Sequence, residues 1–140
     1  MHGYTYSGHP VACAVALKNI EILEREHLVV NAHEKGELLR SRIRDLGLPC
    51  IGEVRGLGLM NAVQPVQNAY NRTKFDPSIG FAKRVSAIAW ENGLALRPLI
   101  DDGLQLSPPL IITETDIIEL VDKLGRSIEQ AHREFLGNQL

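Results

Sequence analysis

The sequence has little excess of charge of either sign. Its 15 Lys and Arg face 17 Asp and Glu, for a formal net charge of −2 at pH 7. That removes the electrostatic case for a nucleic-acid binder, which would carry a basic excess on one face. A long apolar run is also missing. The longest unbroken stretch of apolar residues is Val11 to Leu17, far short of the roughly 20 residues needed to span a bilayer. No basic segment leads into an apolar one at the start, as a secretory signal would require. Cysteine is scarce: Cys13 and Cys50 stand far apart and form no CxxC, so two buried thiols in a reducing cytosol are expected. These absences give the expectation of an intracellular, cytoplasmic globular chain with neither nucleic acid nor membrane as partner.

What is present suits a packed core. The chain has 140 residues, 44% hydrophobic and 23% charged, the size and balance of one ordinary domain. Pro10 marks a helix start, because its fixed φ suits a first turn and no later one. That first helix is expected to run to about Arg25, with Cys13, Ala16, Leu17, Ile20 and Leu23 on one stripe. A second helix follows from about Val29, with Leu28, Ala32, Leu39, Ile43 and Leu46 facing inward and Gly47 as a left-handed cap. Gly36 inside this stripe costs about 1 kcal/mol relative to Ala, which points to close backbone packing.

The period then changes to that of strands. Ile51 to Val54 and Leu57 to Val66 are predicted strands, split by Arg55-Gly56-Leu57-Gly58, and Pro65 to Pro77 is predicted as a surface loop. A third helix is predicted over about Ser78 to Asn92, burying Phe81, Ala82, Val85, Ile88 and Ala89, with Gly93 as its cap. Two short strands, Leu94 to Leu99 and Leu104 to Ser107, are expected to form an antiparallel hairpin through Asp101-Asp102-Gly103. Thr113-Glu114-Thr115-Asp116 has the form of a capping box opening a last helix. That helix should bury Ile117, Leu120, Val121, Leu124, Ile128 and Phe135. The order α-α-β-β-α-β-β-α lacks βαβ alternation. It therefore predicts an α+β fold: a small, mostly antiparallel sheet with helices on one face. The expected organisation is a linking or interface segment and helix over 1–28 and a small α+β domain over 29–140. The small residues of the first helix suit packing against something larger than this sheet.

Two places stand out chemically. His2-Gly3-Tyr4-Thr5-Tyr6-Ser7-Gly8-His9-Pro10 is the densest polar cluster and stands just before a helix start. There, unpaired backbone N–H groups and the helix dipole can hold an anion such as phosphate. The same residues can equally serve as caps, with Ser7 or His9 closing the first helix, and capping is the commoner use. Arg97 lies in the apolar stretch Leu94-Ala95-Leu96-Arg97-Pro98-Leu99, which requires either a solvent-facing edge or an anionic partner such as a carboxylate gripped by two hydrogen bonds. Arg55, beside Gly56, reads more readily as a structural ion pair. The histidines His2, His9, His27, His33 and His132 show no metal-ligand spacing, so no metal is expected. Neither a Ser-His-Asp set, a P-loop nor a dinucleotide fingerprint is present.

Three segments carry a family resemblance. His2 to Ala12 (HGYTYSGHPVA) resembles the stretch of class III pyridoxal-phosphate aminotransferases that opens their C-terminal part. Val54 to Met60 (VRGLGLM) resembles a second motif of the same family. Leu96-Arg97, followed by Leu106-Ser107-Pro108-Pro109-Leu110-Ile111-Ile112-Thr113, resembles the closing strand pair and the start of the last helix. The matches fall in order over nearly the whole chain, and His9-Pro10 is similar to the ω-amino acid:pyruvate branch. The resemblance implies the C-terminal small domain of fold-type I pyridoxal-phosphate enzymes plus its linking helix. It also implies a cytoplasmic homodimer acting on small amines and keto acids.

By that resemblance Tyr4 and Thr5 meet the phosphate of the cofactor held by the neighbouring subunit, and Arg97 binds the substrate carboxylate. None of Lys18, Lys35, Lys74, Lys83 or Lys123 lies in a context resembling the family's Schiff-base lysine. The expectation is thus a C-terminal aminotransferase part that is inactive alone and carries no catalytic residue of its own. The competing expectation is a non-catalytic small-domain module for oligomerisation or partner binding.

Overall fold

The computed structural model describes residues 3–137; His2, at the head of the polar cluster, lies outside them. Helix α1 spans Pro10–Arg25, with proline in its first turn as expected. Helix α2 spans Leu28–Asp45. The sheet strands are β1 (Ile51–Leu57), β2 (Met60–Pro65), β3 (Arg97–Pro98) and β4 (Leu104–Leu106). Helix α3 spans Phe81–Glu91 and α4 spans Glu114–Gly137. The predicted order of elements is the observed one.

The strands form one antiparallel sheet in the order β1-β2-β4-β3. Alternation along the strands gives its two faces opposite roles. Val54, Val63, Leu104 and Leu106 point to one face and join a single core with Leu39 and Ile43 of α2, Phe81, Val85 and Ile88 of α3, and Ile117, Leu124 and Ile128 of α4. The helices therefore cover one side of the sheet, and the α+β architecture expected from the sequence is the one observed.

Several boundaries lie where local chemistry places them. The β1–β2 hairpin turns at Gly58-Leu59, since Leu57 pairs with Met60. Of the predicted split Arg55-Gly56-Leu57-Gly58, the first three residues belong to the strand and Gly58 to the turn. The predicted loop over 65–77 is not wholly superficial: Val66 and Phe75 are buried, and Phe75 stacks on Phe81 with ring centroids 4.0 Å apart. A 3-10 turn over Pro77–Ile79, capped by Asp76, delays α3 to Phe81. Beyond α3, the N–H of Gly93 reaches the Trp90 carbonyl and that of Leu94 reaches Ala89. This closure requires the left-handed φ of 74° at Gly93. The predicted capping box of α4 is present, with the Thr113 N–H donating to the Asp116 carboxylate at 2.9 Å and the Asp116 N–H donating to the Thr113 hydroxyl at 3.2 Å.

Helix α1 departs from the burial its periodicity suggests. None of its residues is buried, and Cys13 is exposed rather than an interior thiol. Its stripe of Cys13, Ala16, Leu17 and Ile20 is exposed, and only Ile22 and Leu23 are partly covered, near the packing with α2. The periodicity is real, but no surface among the described residues covers it. Cys50, in contrast, is buried at the base of β1.

Candidate active site

The polar segment ahead of α1 forms a tight turn. Ser7 Oγ accepts the Tyr4 N–H at 3.1 Å, and the Ser7 N–H donates to the Tyr4 carbonyl at 3.0 Å. His9 is the cap of α1: extended in backbone, its Nδ1 accepts the Ala12 N–H at 3.4 Å. The capping alternative is therefore realised by His9, while Ser7 serves the turn before it. Tyr4 and Thr5 both project into solvent, Tyr4 with 78% of its surface exposed. The Thr5 hydroxyl has no hydrogen-bond partner among the described residues, so it stands free to meet a phosphate oxygen. An exposed hydroxyl of this kind can donate to an anion such as a phosphate.

Arg97 lies on the outer face of the sheet, away from the helices. It pairs with Gln105 of β4, Gln105 lies opposite Ala62 of β2, and Ala62 lies opposite Arg55 of β1. Directly opposed residues of antiparallel strands share a face. One row thus crosses the sheet from Arg55 to Arg97 over the methyl of Ala62 and the carboxamide of Gln105. A shallow hollow of about 390 Å³ lies along this row, bordered by Arg55, Ala62 and Gln105.

The two arginines differ in their electrostatic surroundings. Arg55 is an ion pair, as its reading favoured: Nη1 lies 3.2 Å from Glu53 Oε2 and Nη2 lies 3.7 Å from Asp101 Oδ2. Arg97 is exposed on an edge strand, and its guanidinium makes no ion pair or hydrogen bond among the described residues. Edge position explains how a cation fits so apolar a segment, since the neighbouring apolar side chains turn to the other face or to the hairpin. An uncompensated guanidinium of this kind can grip a carboxylate through two parallel hydrogen bonds.

No hydrogen bond or ion pair joins the Tyr4-Thr5 turn to Arg97 among the described residues. Among the same residues no three His, Cys, Asp or Glu come together as metal ligands. No helix is long and apolar enough to cross a membrane among the described residues. Sequence reasoning missed Gln105, which the alternation Leu104-Gln105-Leu106 could have placed on the same face as Arg97. It also missed Gln64, whose Nε2 donates to the Asp101 carbonyl at 3.2 Å and steadies the turn after Arg97.

Known proteins resemble this chain in sequence and in fold. The family profile of Aminotransferase class-III matches residues 1–128. The chain is 39% identical over 132 residues to a diaminobutyrate–2-oxoglutarate transaminase of Halomonas elongata, with 92% of the chain and 28% of the relative aligned. It is equally 39% identical over 132 residues to a putrescine–pyruvate aminotransferase of Pseudomonas aeruginosa, again over 92% of the chain and 28% of the relative. The PMP-bound form of an aminotransferase from Vibrio fluvialis superposes with a TM-score of 0.87 at 35% identity, over 95% of this chain and 29% of that one. The chain thus spans less than a third of the length of the relatives it matches.

Proposed function

Because this chain belongs to the class III aminotransferases, we propose that it forms the C-terminal part of an enzyme moving an amino group from an amine or ω-amino acid to pyruvate or a similar keto acid. Enzymes of this class depend on pyridoxal phosphate. The observation that carries the reading is the free guanidinium of Arg97 beside Gln105 on the open face of the sheet, away from the helical core. On this reading Arg97 binds and orients the substrate carboxylate, and the carboxamide of Gln105 borders the same ground. Tyr4 and Thr5 meet the cofactor phosphate, Thr5 through a hydroxyl that has no partner among the described residues. When bound, the cofactor supplies an electron sink that lets the amino group change carriers.

A lysine that holds this cofactor must be a desolvated amine with a lowered pKa. Lys18, Lys74 and Lys83 are exposed, and Lys35 and Lys123 are only partly covered. None has the surroundings the role demands, which supports the reading that this stretch of sequence does not turn over by itself. The open turn of Tyr4 and Thr5 and the uncovered stripe of α1 support a homodimer in which one copy completes the site of the other. We place residues 1–28 as the linking segment, residues 29–140 as the small domain, and the enzyme in the cytoplasm, where two unpaired cysteines are at home. The partners are then small amines and keto acids.

The test is direct. The 140-residue chain, mixed with pyridoxal phosphate, a plain amine and pyruvate, is expected to form no alanine and no borohydride-trapped adduct on a single lysine. The holoenzyme containing this sequence is expected to form alanine. Steady turnover with one stoichiometric lysine adduct on the chain alone would overturn the inactive reading. No transamination by the holoenzyme would favour the non-catalytic module.

A further inference from the structure

The strand that carries Arg97 is poorly held by the sheet. Strand β3 consists of Arg97 and Pro98, lies at an edge and, among the described residues, pairs with β4 alone. Pro98 has no N–H to give to the ladder. A strand so short and one-sided has little reason to keep a fixed position from its own hydrogen bonds.

Helix α3 holds the backbone ahead of it and the hairpin turn that follows it. Ahead of Arg97, Ser86 of α3 donates its hydroxyl to the carbonyl of Leu96 at 2.9 Å. A serine in a helix interior commonly bonds its own helix one turn back; this one spends its hydroxyl on the residue next to Arg97. Behind Arg97, Asp102 closes the hairpin turn and accepts the Ala82 N–H through Oδ1 at 2.8 Å. That N–H belongs to the first turn of α3, where no intrahelical acceptor exists. Asp102 adopts a left-handed φ of 64° to reach it. Its Oδ2 is buried with no hydrogen-bond partner among the described residues. A strained backbone and an unsatisfied carboxylate oxygen at one residue indicate that the surroundings force this placement.

We propose that Ser86 and Asp102 are positioning residues that fix the backbone on either side of Arg97, so that its guanidinium meets a carboxylate substrate from a set origin. The two bonds leave the Arg97 side chain itself free to move. This inference rests on the reading of Arg97 as the carboxylate-binding group. It assigns a share in fixing that group to α3, beside the bond that Gln64 of the sheet makes to the Asp101 carbonyl.

The experiment is single-turnover kinetics of the holoenzyme, comparing the half-reaction with pyruvate against the half-reaction with an amine that has no carboxylate. Ser86→Ala and Asp102→Ala are each expected to raise the KM for pyruvate about tenfold, the equivalent of one lost hydrogen bond. The maximal rate and the plain-amine half-reaction should stay unchanged. Ser86→Thr, which keeps the hydroxyl, and Asp102→Asn, which keeps an acceptor and tolerates the left-handed backbone, are expected to restore the KM. The two alanine variants cut opposite ends of the tether, so one reports if the other folds poorly. A loss shared equally between both half-reactions, or a normal KM in both alanine variants, would overturn the proposal. Arg97→Ala separates the two ideas. If it impairs pyruvate selectively while Ser86→Ala and Asp102→Ala do not, the tether is wrong and the clamp stands. If it impairs both half-reactions alike, the clamp reading fails and the tether falls with it.

Discussion

Gly36 of α2 lies against the backbone of Gly58 at the tip of the β1–β2 hairpin, so closely that a Cβ on Gly36 would fall on the Gly58 carbonyl. Four residues along the same helix, buried Arg40 donates to that carbonyl at 2.8 Å and to Asn61 Oδ1 at 2.6 Å. The contact seats the hairpin on α2 and thereby sets the plane of the sheet from which the Arg55-to-Arg97 row projects.

Gly36→Ala is therefore expected to destabilise the protein, although alanine is the better helix former by about 1 kcal/mol. The clash is backbone against side chain and cannot relax by a rotamer change. A net loss of about 1–3 kcal/mol in chemical denaturation is expected, as for overpacking in a tight core. Gly125→Ala in α4 supplies the contrast. Its Cβ would meet the flexible Leu46 side chain at 3.2 Å, and a near-neutral result is expected. Equal stability of Gly36→Ala and the parent would refute the contact.

The close approach at Gly36 was legible in the sequence, because a glycine within an apolar helical stripe has few other uses. So were the helices, the glycine closures at Gly47 and Gly93 and the capping box at Thr113 and Asp116, since each rests on residues within a few positions of one another, whereas the openings of α2 at His27 and of α3 at Gly80 were not. Arg40 was not legible. Its partners lie on a hairpin distant in sequence, and arginine at that position looks like any solvated helical cation. Nor was the shortness of β3, where the apolar run Leu94 to Leu99 suggests a full strand although, among the described residues, only Arg97 and Pro98 enter the sheet ladder. Of the candidate site, Arg97, Thr5 and Tyr4 were legible through motifs. Ser86, Asp102 and Gln105 depend on tertiary register, which no local pattern encodes.

The two cysteines should differ sharply. Cys13 is exposed and Cys50 buried, and burial pushes the Cys50 thiol up to about 11 from an ordinary value of 9.0. A thiol reagent at pH 8 is expected to label Cys13 promptly and Cys50 only after unfolding, read by intact mass. The sign of the pH effect follows from the raised folded value. Stability from this group is complete below pH 9.0 and declines as pH climbs toward about 11, because the unfolded thiol ionises first. Cys50→Ala should lessen that alkaline decline. Prompt labelling of Cys50 in the folded protein would contradict its placement.

The uncovered face of α1 makes a further demand. Val11, Leu17 and Ile20 are each more than half exposed, at 65%, 69% and 51%, and apolar area gathered on one element tends to associate. Sedimentation of the chain is expected to show concentration-dependent self-association, weakened by Leu17→Glu or Ile20→Glu without loss of helix content. A clean monomer over a wide concentration range, with no binding of a hydrophobic dye, would contradict this.

The central claim is that Arg97 grips the carboxylate of the substrate, and single-turnover kinetics of Arg97→Ala in the holoenzyme test it most directly. A severed bidentate charge pair costs on the order of 2–5 kcal/mol in transition-state terms. The half-reactions with pyruvate and with amino acids should fall accordingly, and Arg97→Lys should not restore them, because an ammonium cannot reproduce the planar fork. The half-reaction with a plain amine, which has no carboxylate for the guanidinium to hold, should lose far less, and the melting temperature should stay near that of the parent. Equal losses with carboxylated and plain substrates, accompanied by a lowered melting temperature, would make Arg97 a structural arginine and contradict the account.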